Sequence, residues 1–179
     1  MRSEDPQPSL AVALKVFLTI PVCPPGWKGY DLYRLRDDQV TFYVGQSGCA
    51  FDRVWEHIRG GTHGYSTVGR FLLYNWPRSG NIVVELLDSG APRFAPYGAP
   101  SANWLDDAER ALIEADRPCF NILLNGAPSP LPPGYLSPDG PGPQYSNTLR
   151  GMRGLLRRIL REASRAPRRS PGDTTWEAD

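Results

Sequence analysis

The chain has 179 residues, of which 40% are hydrophobic, so it can bury the core of one ordinary domain and carry an appended segment. Its formal net charge of +1 argues against indiscriminate binding of polyanions. The three cysteines, Cys23, Cys49 and Cys119, are far apart in sequence and include no C-x-x-C pair, so neither a disulfide framework nor a cysteine-based zinc site is indicated, and the expectation is reduced thiols in a cytoplasmic protein.

In chain order, residues 1–9 are polar and read as disordered. Residues 10–22 form an apolar run broken by Lys15 and Pro21, too short to span a bilayer. It lacks a leading basic cluster and a clean small-residue cleavage site, so it reads as a strand or short helix packed on the domain. Residues 31–36 read as a strand with Tyr33 and Leu35 on one face. Asp37, Asp38 and Gln39 turn the chain, and residues 41–45 return as a second strand, with Thr41 and Tyr43 on one face and Phe42 and Val44 on the other; together they form a hairpin. Phe51, Val54, Trp55 and Ile58 give the apolar stripe of a helix over residues 51–59, ended by Gly60 and Gly61. A short helix over residues 66–75 stops before Pro77, and the β-branched run 82–87 is a third strand. A helix over residues 102–115 places Leu105, Ala108, Leu112 and Ala115 at core spacing; Pro118 closes it, and residues 120–124 are candidates for a short strand. The fold class is α+β, a small antiparallel sheet of about three strands flanked by helices.

Between Gly126 and Tyr145 eleven of twenty residues are Gly or Pro, which suits a linker or an extended surface arm. Residues 146–166 then form a basic amphipathic helix, with a polar tail at 167–179. The organisation reads as an N-terminal segment (1–24), a domain (25–126), a linker (127–145), the helix and the tail. Charge follows this division: residues 25–126 carry ten basic and twelve acidic side chains, whereas residues 146–169 carry eight arginines and Glu162 alone. A nucleic-acid tether therefore belongs at the C-terminal end, on Arg150, Arg153, Arg157, Arg158 and Arg161.

Three groups of residues resist a purely structural reading. Glu109 falls on the apolar side of its helix, where a carboxylate is costly unless paired, solvated or bound to a metal. Arg53 and His57 sit four apart on the helical face opposite Phe51, Val54, Trp55 and Ile58, a good phosphate-facing pair or an ordinary solvated face that Asp52 and Glu56 neutralise. Tyr33 and Tyr43 lie on paired strands, where aromatic pairs also serve to stabilise hairpins.

In combination these residues resemble the GIY-YIG nuclease family over about residues 30–125. Asp31-Leu32-Tyr33 and Tyr43-Val44-Gly45 match its two strand motifs. Arg53 follows the second tyrosine by ten residues, where the family has its catalytic arginine, and His57 follows by four more. Glu109, Leu112, Ile113, Pro118, Phe120 and Asn121 match the segment of the metal-binding glutamate. Two departures stand out: Asp31 replaces the first glycine, and Gln46-Ser47-Gly48-Cys49 lacks a lysine that some relatives carry.

The resemblance implies a DNA endonuclease that hydrolyses phosphodiester bonds with one divalent ion, Mg²⁺ or Mn²⁺, on Glu109 as its only protein ligand. It makes Arg53 a donor to the phosphate and Tyr33, Tyr43 or His57 the group that orients or deprotonates water, with Gly45 and Asn121 supporting the site. The short basic element suits a structure-selective or weakly sequence-specific cutter, as in repair, more than a homing enzyme, and a partner protein or second subunit can contribute to recognition. The alternatives are a non-catalytic nucleic-acid-binding module on the same fold and a membrane or protein adaptor acting through the C-terminal helix. The nuclease-like remainder argues against a membrane.

Overall fold

The computed structural model describes residues 9–90, 104–144 and 147–165. Residues 1–8, the first two residues of the expected helix at 102–115 and the tail from 166 fall outside them. The fold is α+β. Its sheet has four antiparallel strands: β1 (Ser9–Ala13), β2 (Leu32–Arg36), β3 (Thr41–Gln46) and β4 (Val83–Leu87), in the order β1-β4-β2-β3. The strand beyond the three expected is β1, which starts at Ser9, the last residue of the stretch expected to be disordered, and continues into the apolar run at 10–22. It pairs with β4 over five residues before the chain turns into α1 (Leu14–Phe17), so the run is strand and helix in succession.

One face of the sheet is covered by α1, α2 (Ala50–Gly61) and α3 (Thr67–Tyr74), and α5 (Leu149–Arg165) packs on those helices. Phe17 packs against Phe51 and Trp55 of α2, and Phe42 against Phe71 of α3. Phe42 reaches that layer through a bulge. The β2–β3 register pairs Leu35 with Tyr43 but Arg36 with Thr41, leaving Phe42 without a partner. The extra residue turns Phe42 to the same side as Tyr43, contrary to strict alternation. Thr41 faces the other side, where its hydroxyl donates to Asp116.

α2 and α3 cross at glycines. A Cβ on Gly69 would run into the carbonyl oxygen of His57, and one on Gly61 would sit 2.5 Å from the Gly69 backbone. Gly60 and Gly61 therefore do not end α2 as expected. They complete its last turn, because the crossing leaves no room for a side chain at Gly61, and Thr62 is the C-cap.

The opposite face is held by charge. Glu85 of β4 accepts from Nε of Arg34 at 2.8 Å and of Arg36 at 2.9 Å, and Arg34 also donates to Asp116 at the end of α4 (Trp104–Asp116). Within α4 the buried residue is Ile113, while Ala115 is exposed, because the helix rests one edge rather than a full stripe on the sheet.

Residues 120–124 do not form the expected strand. Cys119 and Phe120 donate to the carbonyls of Thr41 and Phe42, and then the side chain of Asn121 takes over: Oδ1 accepts from Val44 N at 2.9 Å and Nδ2 donates to Val44 O at 2.8 Å. The Pro/Gly-rich stretch is a packed arm. Tyr135 packs edge-on against Phe42 and tilted against Phe71 with Arg78 over its ring, and Asn75 binds Leu136 from both its amide atoms. α5 buries Met152, Leu155, Ile159 and Ala163 on the domain, leaves Leu149 exposed and turns its arginines outward. Among the described residues no helix is long and apolar enough to cross a membrane.

Candidate active site

The hairpin and α2 bring the candidate residues together. Tyr33 is the second residue of β2 and faces the helical layer; its register partner is Gly45. A Cβ on Gly45 would collide with the Tyr33 phenol, so the glycine is what lets this ring lie across β3. The ring is only 1% exposed, and its hydroxyl stands 2.7 Å from Nε2 of His57. The other ring nitrogen, Nδ1, is 2.8 Å from the hydroxyl of Ser66, which caps α3 by accepting from Gly69 N at 3.0 Å. His57 thus points inward, to the sheet and the α3 cap, and not out on the solvated face with Arg53.

Tyr43 sits beside this chain, 6.0 Å from the Tyr33 ring and edge-on to His57 at 5.3 Å. Arg53 lies one helical turn before His57, exposed, with its guanidinium donating to Glu56 at 2.7 Å. An open cleft of about 320 Å³ is lined by Tyr43, Arg53, Glu56, His57, Tyr65 and Ser66, among others. Four expected residues therefore meet: Tyr43, Arg53 and His57 on the cleft wall, and Tyr33 directly behind His57.

The electrostatics follow from burial. Burial, then the neighbouring Arg53 charge, lowers the His57 pKa from 6.5 to about 4, so the imidazole is neutral at pH 7. Burial pushes the Tyr33 phenol far above its ordinary value, with Tyr43 adding to the effect and Arg53 opposing it. A neutral imidazole accepts at one nitrogen and donates at the other. The chain Tyr33–His57–Ser66 therefore runs in one direction or the other, set by which ring nitrogen carries the hydrogen.

Glu109 projects from α4 beside Gln46 at the end of β3, near enough to Tyr43 for its charge to act on the phenol. It is half-buried; burial raises its pKa, a hydrogen bond from Gln46 Nε2 at 3.0 Å opposes this, and Asp106 raises it further. The same Gln46 amide donates to Asp106 at 2.5 Å. Burial and then Glu109 hold the Tyr43 phenol above its ordinary range. None of the groups setting the Glu109 pKa is a cation, so this carboxylate fits a hard divalent ion that would balance it. Among the described residues no three His, Cys, Asp or Glu side chains converge, so such an ion would keep most of its water, as Mg²⁺ does.

Asn121 lies off the cleft and ties the segment after α4 to β3. Asp31, the departure from the family motif, accepts from Ser89 N and Oγ at 2.8 and 2.6 Å and so joins the start of β2 to the exit of β4. The α5 arginines at 150, 153, 157, 158 and 161 are exposed; Arg153 reaches the rim of the cleft, where it donates to His63 Nε2 at 2.9 Å. Sequence reasoning missed two members of the site. Gln46 lies just past the end expected for the second strand, although as the residue after Gly45 it continues β3 toward α4. Ser66 read only as a helix start, although a cap at that point faces the C-terminal half of α2. No family model, curated protein or solved structure matches this chain.

Proposed function

We propose that the chain is a metal-dependent DNA endonuclease of the GIY-YIG type, structure-selective or weakly sequence-specific. The observation that carries this reading is the meeting of Tyr33, Tyr43, Arg53 and His57 around one open cleft, with the desolvated Glu109 near Tyr43.

A phosphodiester in the cleft meets Arg53, which donates to a non-bridging oxygen as negative charge grows during attack. This requires Arg53 to leave Glu56, an exposed i,i+3 pair that is weak enough to exchange. Tyr43 is the phenol on the cleft wall and orients the attacking water. Tyr33, spent on His57 and buried, is a positioning residue. His57 lines the cleft as a neutral imidazole with both ring nitrogens engaged; it accepts the water's proton at Nε2 once the Tyr33 hydroxyl turns away from that nitrogen, while Nδ1 donates to Ser66. When bound at Glu109, Mg²⁺ or Mn²⁺ supplies charge neutralisation at phosphorus and at the leaving oxygen. With the Glu109 charge balanced, one of the two causes that hold the Tyr43 phenol up is removed.

The test is incubation with supercoiled plasmid and with a branched oligonucleotide in Mg²⁺, Mn²⁺ or chelator, beside Glu109→Ala. Nicking that needs the metal and disappears in the variant supports the reading. Equal DNA binding by both proteins with no cleavage in any metal makes the chain a binding module instead.

A further inference from the structure

The cleft has a rim that the chemistry above does not use. Tyr65 lines it and is 88% exposed, an unusual position for a phenol with an apolar face. Its backbone is fixed, because its N–H donates to the carbonyl of Gly60 at the end of α2. Its ring lies parallel to that of His63, within 3°, at 6.0 Å between centroids. His63 is itself held on both nitrogens. Arg153 can only donate, so Nε2 accepts from it and Nδ1 carries the hydrogen toward the carbonyl of Arg59 and the hydroxyl of Thr62. An exposed aromatic ring is thus backed by a fixed second ring, beside the cleft and at the end of an arginine-bearing helix.

Resting on the nuclease reading, we infer that Tyr65, backed by His63 and Arg153, is a stacking platform for an unpaired base of DNA next to the phosphate held in the cleft. A paired base inside a duplex already has both faces covered by its neighbours, so it cannot use a ring that projects into solvent beside the cleft. A base in a flap, fork or overhang has a free face, and stacking on an aromatic ring does not depend on its identity. Arg153 lies where the backbone of such a strand would pass, and the other α5 arginines continue the track along the helix. The substrate class is therefore DNA with unpaired nucleotides at a junction. The preference for such DNA is set at the rim and not by the residues that perform the cut.

The experiment uses the full chain in chelator, so that nothing is cut. A 2-aminopurine is placed at the first unpaired nucleotide of a forked duplex, and a fully paired duplex of the same length serves as control. Wild type and Tyr65→Phe are expected to change the probe's fluorescence on binding and to prefer the fork. Tyr65→Ala, at a site too exposed to disturb folding, is expected to lose the change and to weaken fork binding about five- to a hundredfold, with duplex binding unaltered. Tyr65→Ala binding the fork like wild type with the same fluorescence overturns the platform, even where Glu109-dependent nicking is intact. A Tyr65-dependent signal in a protein that cuts nothing in any metal keeps the platform and removes the nuclease reading.

Discussion

His57 gives this fold an acid sensitivity whose sign and size follow from its surroundings. Its folded pKa is about 4 against an ordinary 6.5. The unfolded chain therefore binds a proton as the pH falls through 6.5, while the folded chain resists until about 4. The contribution to stability is intact above pH 6.5, is lost as the pH falls, and changes no further below 4. The gap corresponds to about 3 kcal/mol in full, of which about 2 is lost by pH 5. Carboxylates also titrate in this range, so the comparison that isolates the imidazole is with His57→Gln. That variant loses about 1 kcal/mol at pH 7 through poorer bonds to Tyr33 and Ser66. It has no imidazole to protonate, so its stability falls less steeply. Urea unfolding at intervals from pH 7 to 4.5 should show the two stability curves crossing near about pH 5.5. Curves that stay parallel over the whole range would refute the half-buried, neutral imidazole.

Two further substitutions probe the scaffold. Gly69→Ala forces α2 and α3 apart at the His57 carbonyl and should cost about 3 kcal/mol or more, read as a drop in the urea midpoint; a loss under about 1 kcal/mol means the crossing is looser than described. Asn121→Ala strips Val44 of both its amide partners and should cost about 2–4 kcal/mol, with faster hydrogen exchange at the Val44 amide; unchanged exchange there would show that the side chain is not the partner.

Much of the sheet and of the first wall of the site is legible in the sequence because it follows local periodicity. Tyr33 and Leu35 alternate on β2, and Phe51, Val54, Trp55 and Ile58 recur at helical spacing, so the hairpin and α2 read directly. What does not read is set by contacts distant in sequence. Phe42 leaves the alternation because the bulge is needed to reach Phe71 and Tyr135. Gly61 reads as a stop signal, yet its role is to let α3 approach. The inward turn of His57 depends on Ser66 and Tyr33, nine and twenty-four residues away, which no helical wheel includes. Residues 120–124 look like a strand because they are mostly apolar, but the Asn121 side chain does at the edge of β3 what a strand's backbone would do.

That substitution decides how the β3 side of the sheet meets other chains. An open edge is a row of free peptide groups, and any extended segment can zip onto it. Here Cys119 and Phe120 occupy two carbonyls of β3, and the Asn121 carboxamide, which has the donor and acceptor of one peptide unit, fills both positions of Val44. It is a ladder rung with no strand behind it: a side-chain amide carries no run of backbone N–H and C=O groups on which a further strand could form. A single asparagine thus ends the sheet chemically, guarding that edge against templated growth at the cost of one side chain.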